Sequence, residues 1–142
     1  GHAMLETGTP RIAEAIGWGA AVEWLDRHDM KEIHSHINRI ASWTAEQISN
    51  IDGITVYGDP ARGDSSGAVS FLHESIQSQD LALLLDEGGF AVRTGHHCAQ
   101  PLMDALGVPS TNRASFWLYN TMDEAEAFVN HLRYVVDRFS DK

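Results

Sequence analysis

This sequence is poor in the features that bind polyanions, cross membranes or form crosslinks. Only two lysines are present, Lys31 and Lys142, and the net charge is −10. Nucleic-acid binding needs clustered Lys and Arg, so that class of partner is argued against. Cysteine occurs once, as Cys98. No internal disulfide can form, and nothing points to an oxidising compartment. No apolar run approaches the ~20 residues of a membrane span, and no signal peptide is visible. We therefore expect a cytoplasmic protein with neither a nucleic-acid nor a membrane partner. P-loop, Gly-x-Ser-x-Gly and Gly-x-Gly-x-x-Gly motifs are missing, as are internal repeats and low-complexity segments.

What is there reads as one domain. The chain has 142 residues, a length at which ~68–70% of the unfolded surface is buried. Gly1-His-Ala-Met4 resembles a cloning remnant, which leaves residues 5–142 as the domain. Leu5 to Pro10 reads as an extended lead-in. A helix is predicted from Arg11 to about His28, with Ala15, Trp18, Val22 and Leu25 on one stripe. Between Ala15 and Val22 the Trp18 indole is the only hydrogen-bonding side chain. A helix apolar most of the way round is buried on more than one side. It is either a central core helix or one that faces a partner surface.

A second helix is predicted from about Met30 to Asn50, with Ile33, Ile37, Ile40, Thr44 and Ile48 turned inward. His34 and His36 fall on different faces of it, so they are poor joint metal ligands and read as boundary histidines. Ile54–Tyr57 and Ala68–Leu72 read as strands, separated by a loop from Gly58 to Gly67. Ser78 is a plausible cap for a helix through Leu81, Leu84 and Leu85, stopped by Gly88-Gly89. Phe90–Arg93 reads as a third strand and Asn112–Tyr119 as a fourth. On the fourth, Ala114, Phe116 and Leu118 would face the core. Thr121 and Glu124 form a capping box opening a last helix with Ala125, Phe128, Leu132, Val135 and Phe139. The order is helix, helix, strand, strand, helix, strand, short helix, strand, helix. It predicts an α+β domain, a small largely antiparallel sheet with helices packed on one face.

The chemistry gathers at Arg93-Thr-Gly-His-His-Cys98-Ala-Gln-Pro-Leu102. Gln100 and Pro101 look like a helix start and Gly107 like its stop. Cys98 then lies at or just before a helix N-terminus, where the dipole and nearby cations favour a thiolate. A lone cysteine is often an inert buried hydrophobe, yet packing gives little reason for the polar run ahead of this one. Between Gly88 and Met122 the only carboxylate is Asp104, while Arg93, Arg113, His96 and His97 all fall there. A locally cationic segment in an acidic protein suggests a site for a small anion. Cys98 is the candidate nucleophile. Arg113 is the candidate anion receptor, since a guanidinium binds a carboxylate through two parallel hydrogen bonds, and Arg93 is a second candidate. Adjacent side chains such as His96, His97 and Cys98 rarely all reach one ion, so no metal site is expected.

The run Arg93-Thr-Gly-His-His-Cys98-Ala, with Pro101-Leu-Met103, Arg113-Ala-Ser-Phe116 and Tyr119-Asn-Thr121, resembles the C-terminal part of SUF-type cysteine desulfurases. These are class V aminotransferases dependent on pyridoxal 5'-phosphate (PLP). Gly8-Thr9-Pro10 resembles the segment that opens this region, and the match runs in order from Glu6 to about Phe139. Arg11 departs from the asparagine the family often has there.

The resemblance implies the C-terminal domain of fold-type I PLP transferases. It implies that Cys98 takes sulfur from L-cysteine as a persulfide, releases alanine, and passes the sulfur to an acceptor protein of the SUF system for iron–sulfur cluster assembly. It implies that Arg113 holds the substrate carboxylate and that Arg93 lines the same pocket. Gly8 and Thr9 would reach the PLP phosphate of the neighbouring subunit in a homodimer of the full-length parent. The family's PLP-bearing large domain, with its Schiff-base lysine, is not in this chain, and neither Lys31 nor Lys142 sits in a matching motif. The expectation is an excised small domain that folds, does not turn over, and associates weakly at best. A selenocysteine lyase, another class V enzyme or a stand-alone persulfide carrier without PLP would share these residues.

Overall fold

A computed structural model of the chain describes residues 8–59 and 66–140. The remnant, most of the lead-in and the middle of the 58–67 loop lie outside the described residues. The chain divides into two compact units, residues 1–33 and 34–142. No helix among the described residues is long and apolar enough to cross a membrane.

The first unit carries α1 (Ile12–Leu25) and the start of α2 (Met30–Ser49). Helix α1 has no side-chain cap at Arg11 and no buried residue. Trp18 is 75% exposed and Ile16 69%. This overturns the reading of α1 as a central core helix. Its composition is that of a buried helix, yet none of its residues is buried.

The second unit contains the sheet. Strands β1 (Ile54–Tyr57), β2 (Ala68–His73), β3 (Arg93–Gly95) and β4 (Thr111–Ser115) run in the order β1-β2-β4-β3, every pair antiparallel. Period-2 alternation sorts the strand residues into two faces. Val56, Val69, Phe71 and Ala114 share one face and pack against the long helices α2, α3 (Ser78–Glu87) and α5 (Met122–Phe139). Ile48, Leu81, Leu85 and Leu132 are fully buried there. Phe71 meets Phe128 edge-on at 6.2 Å between ring centroids. The short helix α4 (Gln100–Leu106) lies on the opposite face, where Met103 is buried beside Ser70 and Thr111.

The predicted element order holds throughout, and three local details differ. Ser78 is not a cap: Gln77 holds that position without a side-chain bond, and the Ser78 hydroxyl is instead 2.6 Å from that of Ser110. Strand β3 begins at Arg93, where the predicted one ended. The Phe90 ring instead packs on Phe128 at 5.8 Å. Strand β4 stops at Ser115 because Asn120 turns the chain: its Oδ1 accepts from the Trp117 N–H at 2.8 Å. Phe116 still packs against the core, while Phe139 is half exposed. The Thr121–Glu124 capping box is present in both directions, at 3.2 and 2.8 Å.

Candidate active site

The sheet face away from the long helices carries the charged groups. Register pairs Arg93 on β3 directly with Arg113 on β4, so both side chains leave the sheet on that face. Among the described residues neither makes an ion pair. Arg113 is half-buried, and its Nε has no hydrogen-bond partner. Like charges facing each other across a ladder are destabilising. A guanidinium N–H left unsatisfied in a partly buried place adds a further cost. Both costs fall if an anion binds between them.

The connection from β3 to α4 brings the thiol to this face. Gly95 has φ +112°, a conformation that excludes other residues. His97 and Cys98 follow with φ of 55° and 59°, two consecutive non-glycine residues in the left-handed region. Each costs on the order of 1 kcal/mol. The Ala99 N–H donates to the His96 carbonyl at 2.8 Å and closes the turn. Cys98 thus sits one residue before the Ala99 cap of α4, as the Gln100-Pro101 start and the Gly107 stop (φ +70°) imply. The thiol is exposed, and Arg93 Nη2 lies 3.7 Å from Cys98 Sγ.

His97 holds the turn to the sheet. Its Nε2 is 3.1 Å from the Thr111 carbonyl and 3.0 Å from the Thr111 hydroxyl. A carbonyl only accepts, so Nε2 carries the hydrogen and Nδ1 the lone pair. Nδ1 is buried without a partner. Burial lowers the His97 pKa first, and the Arg113 charge lowers it next. The hydrogen bond to the Thr111 backbone opposes them, and Arg93 and His96 add smaller downward effects. His97 is therefore a neutral imidazole near pH 7. The ring also borders a cleft of about 280 Å³ between α4 and the sheet, walled by Tyr57, Leu102, Met103 and Leu106. A larger cleft of about 670 Å³ lies by the β2–α3 turn and Ser110, where no arginine or cysteine converges.

Of the residues singled out in the sequence, Arg93 and Cys98 are in contact and Arg113 is the cross-strand neighbour of Arg93. Gly8 and Thr9 belong to the first unit, and both are exposed. Among the described residues nothing lies within 4 Å of where a Cβ on Gly8 would be. Sequence reasoning missed Thr111 and the bent backbone at His97. Thr111 carries no local signal, because its partner is fourteen residues away and meets it only through strand pairing.

Comparison with known proteins places this arrangement in context. Residues 2–128 match the family model "Aminotransferase class-V". A probable cysteine desulfurase of Halalkalibacterium halodurans is 44% identical over 134 residues, covering 94% of this chain and 32% of that protein. Among solved structures, the cysteine desulfurase CsdA of Escherichia coli superposes with a TM-score of 0.86 at 34% identity, covering 94% of this chain and 32% of that one. The apo cysteine desulfurase of Thermococcus onnurineus NA1 gives 0.87 at 34% identity, covering 94% and 33%. The chain thus spans about a third of the length of the relatives it matches.

Proposed function

Because this chain belongs to the aminotransferase class-V family, we propose that it works as the small domain of a longer cysteine desulfurase. The observation that carries the reading is the Arg93–Cys98 contact at 3.7 Å, on the same sheet face as the unpaired Arg113. A nucleophilic thiol beside two uncompensated cations suits a substrate with one carboxylate and one sulfur.

In this reading each residue has one role. Arg113 receives the carboxylate of L-cysteine through two parallel hydrogen bonds, which fixes the amino acid by its planar end. Arg93 lines the same pocket and keeps the thiol toward it. Cys98 Sγ attacks the substrate sulfur as a thiolate. The new S–S bond leaves a persulfide on Cys98, the carbon–sulfur bond breaks with its electron pair left on the carbon, and a proton taken up there completes the methyl group of the departing alanine. The persulfide passes to an acceptor protein, of the SUF system in this reading, for iron–sulfur cluster assembly. The exposure of Cys98 suits that hand-over.

The residues present fit the substrate side of a PLP site and not its covalent anchor. Lys31 is exposed in the first turn of α2 within the first unit, and Lys142 lies outside the described residues. In our reading the anchoring lysine and most cofactor contacts come from the rest of the parent, with Gly8 and Thr9 reaching the phosphate across a homodimer. PLP, when bound, supplies the electron sink that weakens the substrate's carbon–sulfur bond.

Alanine release from L-cysteine tests this. The chain alone with PLP should release none. Joined to the remaining parent sequence it should release alanine, and Cys98→Ala should lose that activity and the persulfide seen by mass spectrometry. Alanine from the isolated chain above its Cys98→Ala control would overturn the assignment.

A further inference from the structure

We infer that His97 and Thr111 are positioning residues: the His97 Nε2–H, held by the Thr111 carbonyl and hydroxyl, locks the left-handed turn that presents Cys98 to Arg93. The inference rests on the reading of Cys98 as the sulfur acceptor, and the clamp can be tested apart from it.

Two residues with side chains hold positive φ in succession, and neither is glycine. A conformation of that kind persists only where its surroundings over-determine it. Among the described residues, two side chains between residues 96 and 99 hydrogen-bond to the sheet. One bond is the Arg93–Cys98 contact, whose thiol is exposed and a weak acceptor. The other is the His97 bond to Thr111, a residue 1% exposed and fixed in register opposite Gly95. The rigid partner is therefore Thr111, and His97 transmits its position to the next residue, Cys98. The hydrogen inventory agrees. Nε2 must donate, which leaves the buried Nδ1 bare. A proton there would find no acceptor and would face Arg113, Arg93 and His96. The clamp is thus made by the neutral ring.

The test uses the 142-residue chain and three measurements: the rate of Cys98 alkylation by iodoacetamide from pH 5 to 9, thermal melting, and the ¹⁵N spectrum of the His97 ring. His97→Ala frees the turn, takes the thiol from the Arg93 guanidinium that stands 3.7 Å from it, and should slow alkylation near pH 7 about fivefold, because that charged donor no longer faces the attacking sulfur. His97→Gln keeps an amide N–H in reach of the Thr111 carbonyl. It should return to within about twofold of wild type, a rescue that lost packing alone would not give.

An alanine variant that alkylates at or above the wild-type rate across the range overturns the inference. So does a glutamine variant as slow as alanine with unchanged melting. If His97→Ala does not fold, the ¹⁵N spectrum of the wild type decides: Nε2–H supports the clamp and Nδ1–H overturns it. A clamp that behaves as expected, with no persulfide formed in the parent, would sink the desulfurase reading and leave this one standing.

Discussion

Arg93 and Arg113 stand opposite each other across the β3–β4 pair, and among the described residues no carboxylate is paired with either. Two cations in register are a poor choice for a sheet built only to fold. They are a reasonable choice for a sheet that receives an anion, and the single carboxylate between Gly88 and Met122 keeps competitors away.

That relationship sets the first expectation. Arg113→Lys keeps the charge and loses the planar fork. A hydrogen bond to a charged group is worth roughly 1.5–3 kcal/mol, so losing one of two should lower kcat/KM for L-cysteine in the parent about 10- to 100-fold. The stability of this chain should move by no more than about 0.5 kcal/mol. Steady-state kinetics beside a denaturant titration check both, and an unchanged kcat/KM would remove Arg113 from substrate binding.

The second concerns folding alone. Gly88 closes α3 at φ −83°, which any residue can adopt. A Cβ there would land on the His131 ring. That ring donates from Nε2 to the Leu84 carbonyl at 3.1 Å and stacks near Phe90 at 5.5 Å. Gly88→Ala must displace it, at a cost of roughly 1–3 kcal/mol. Made in a His131→Ala background, the same change should cost little, because the obstructing ring is gone. Equal costs in the two backgrounds would mean that His131 is not what requires the glycine.

What could be read from sequence and what could not divide along physical lines. The Pro101 start, the Gly107 stop and the Thr121–Glu124 box are local, so each was legible from three or four residues. Cys98 stood out because a polar run precedes the only cysteine. The Arg93–Arg113 opposition depends on strand register, and the start of β3 was misjudged because Phe90–Val92 looks like a strand yet packs as an irregular lead-in. The end of β4 was hidden because a downstream side chain, Asn120, takes the Trp117 N–H. Exposure of α1 contradicts its own composition, and composition alone cannot say which surface a helix meets.

That exposure yields the third expectation. Trp18→Ser removes a large apolar side chain that is 75% exposed, and Ser and Trp have similar helix propensities. Denaturant unfolding should shift by less than about 0.5 kcal/mol. Sedimentation of the wild type should show weak, concentration-dependent association that the variant reduces. A loss above about 2 kcal/mol would mean that Trp18 is packed in solution, and a tight dimer of the wild type would contradict weak association.

The last expectation is a pH dependence with a definite sign. The pKa of His97 is lowered in the folded state below its ordinary 6.5, by burial first and by Arg113 next. A lowered base binds its proton less readily in the folded chain than in the unfolded one. Above pH 6.5 both states are neutral and the contribution of His97 to stability is fully present. As pH falls below 6.5 the unfolded chain protonates first and its free energy drops, so stability declines until the folded-state pKa is passed, after which the difference is constant. The chain carries seven other histidines, so the observable is a difference. The stability of the wild type minus that of His97→Gln should fall on acidification through pH 6.5. A difference that stays level from pH 7.5 to 5 would show that the ring titrates like a free histidine. One that rises would show that the folded chain prefers the imidazolium, and the assignment of the proton to Nε2 alone would then be wrong.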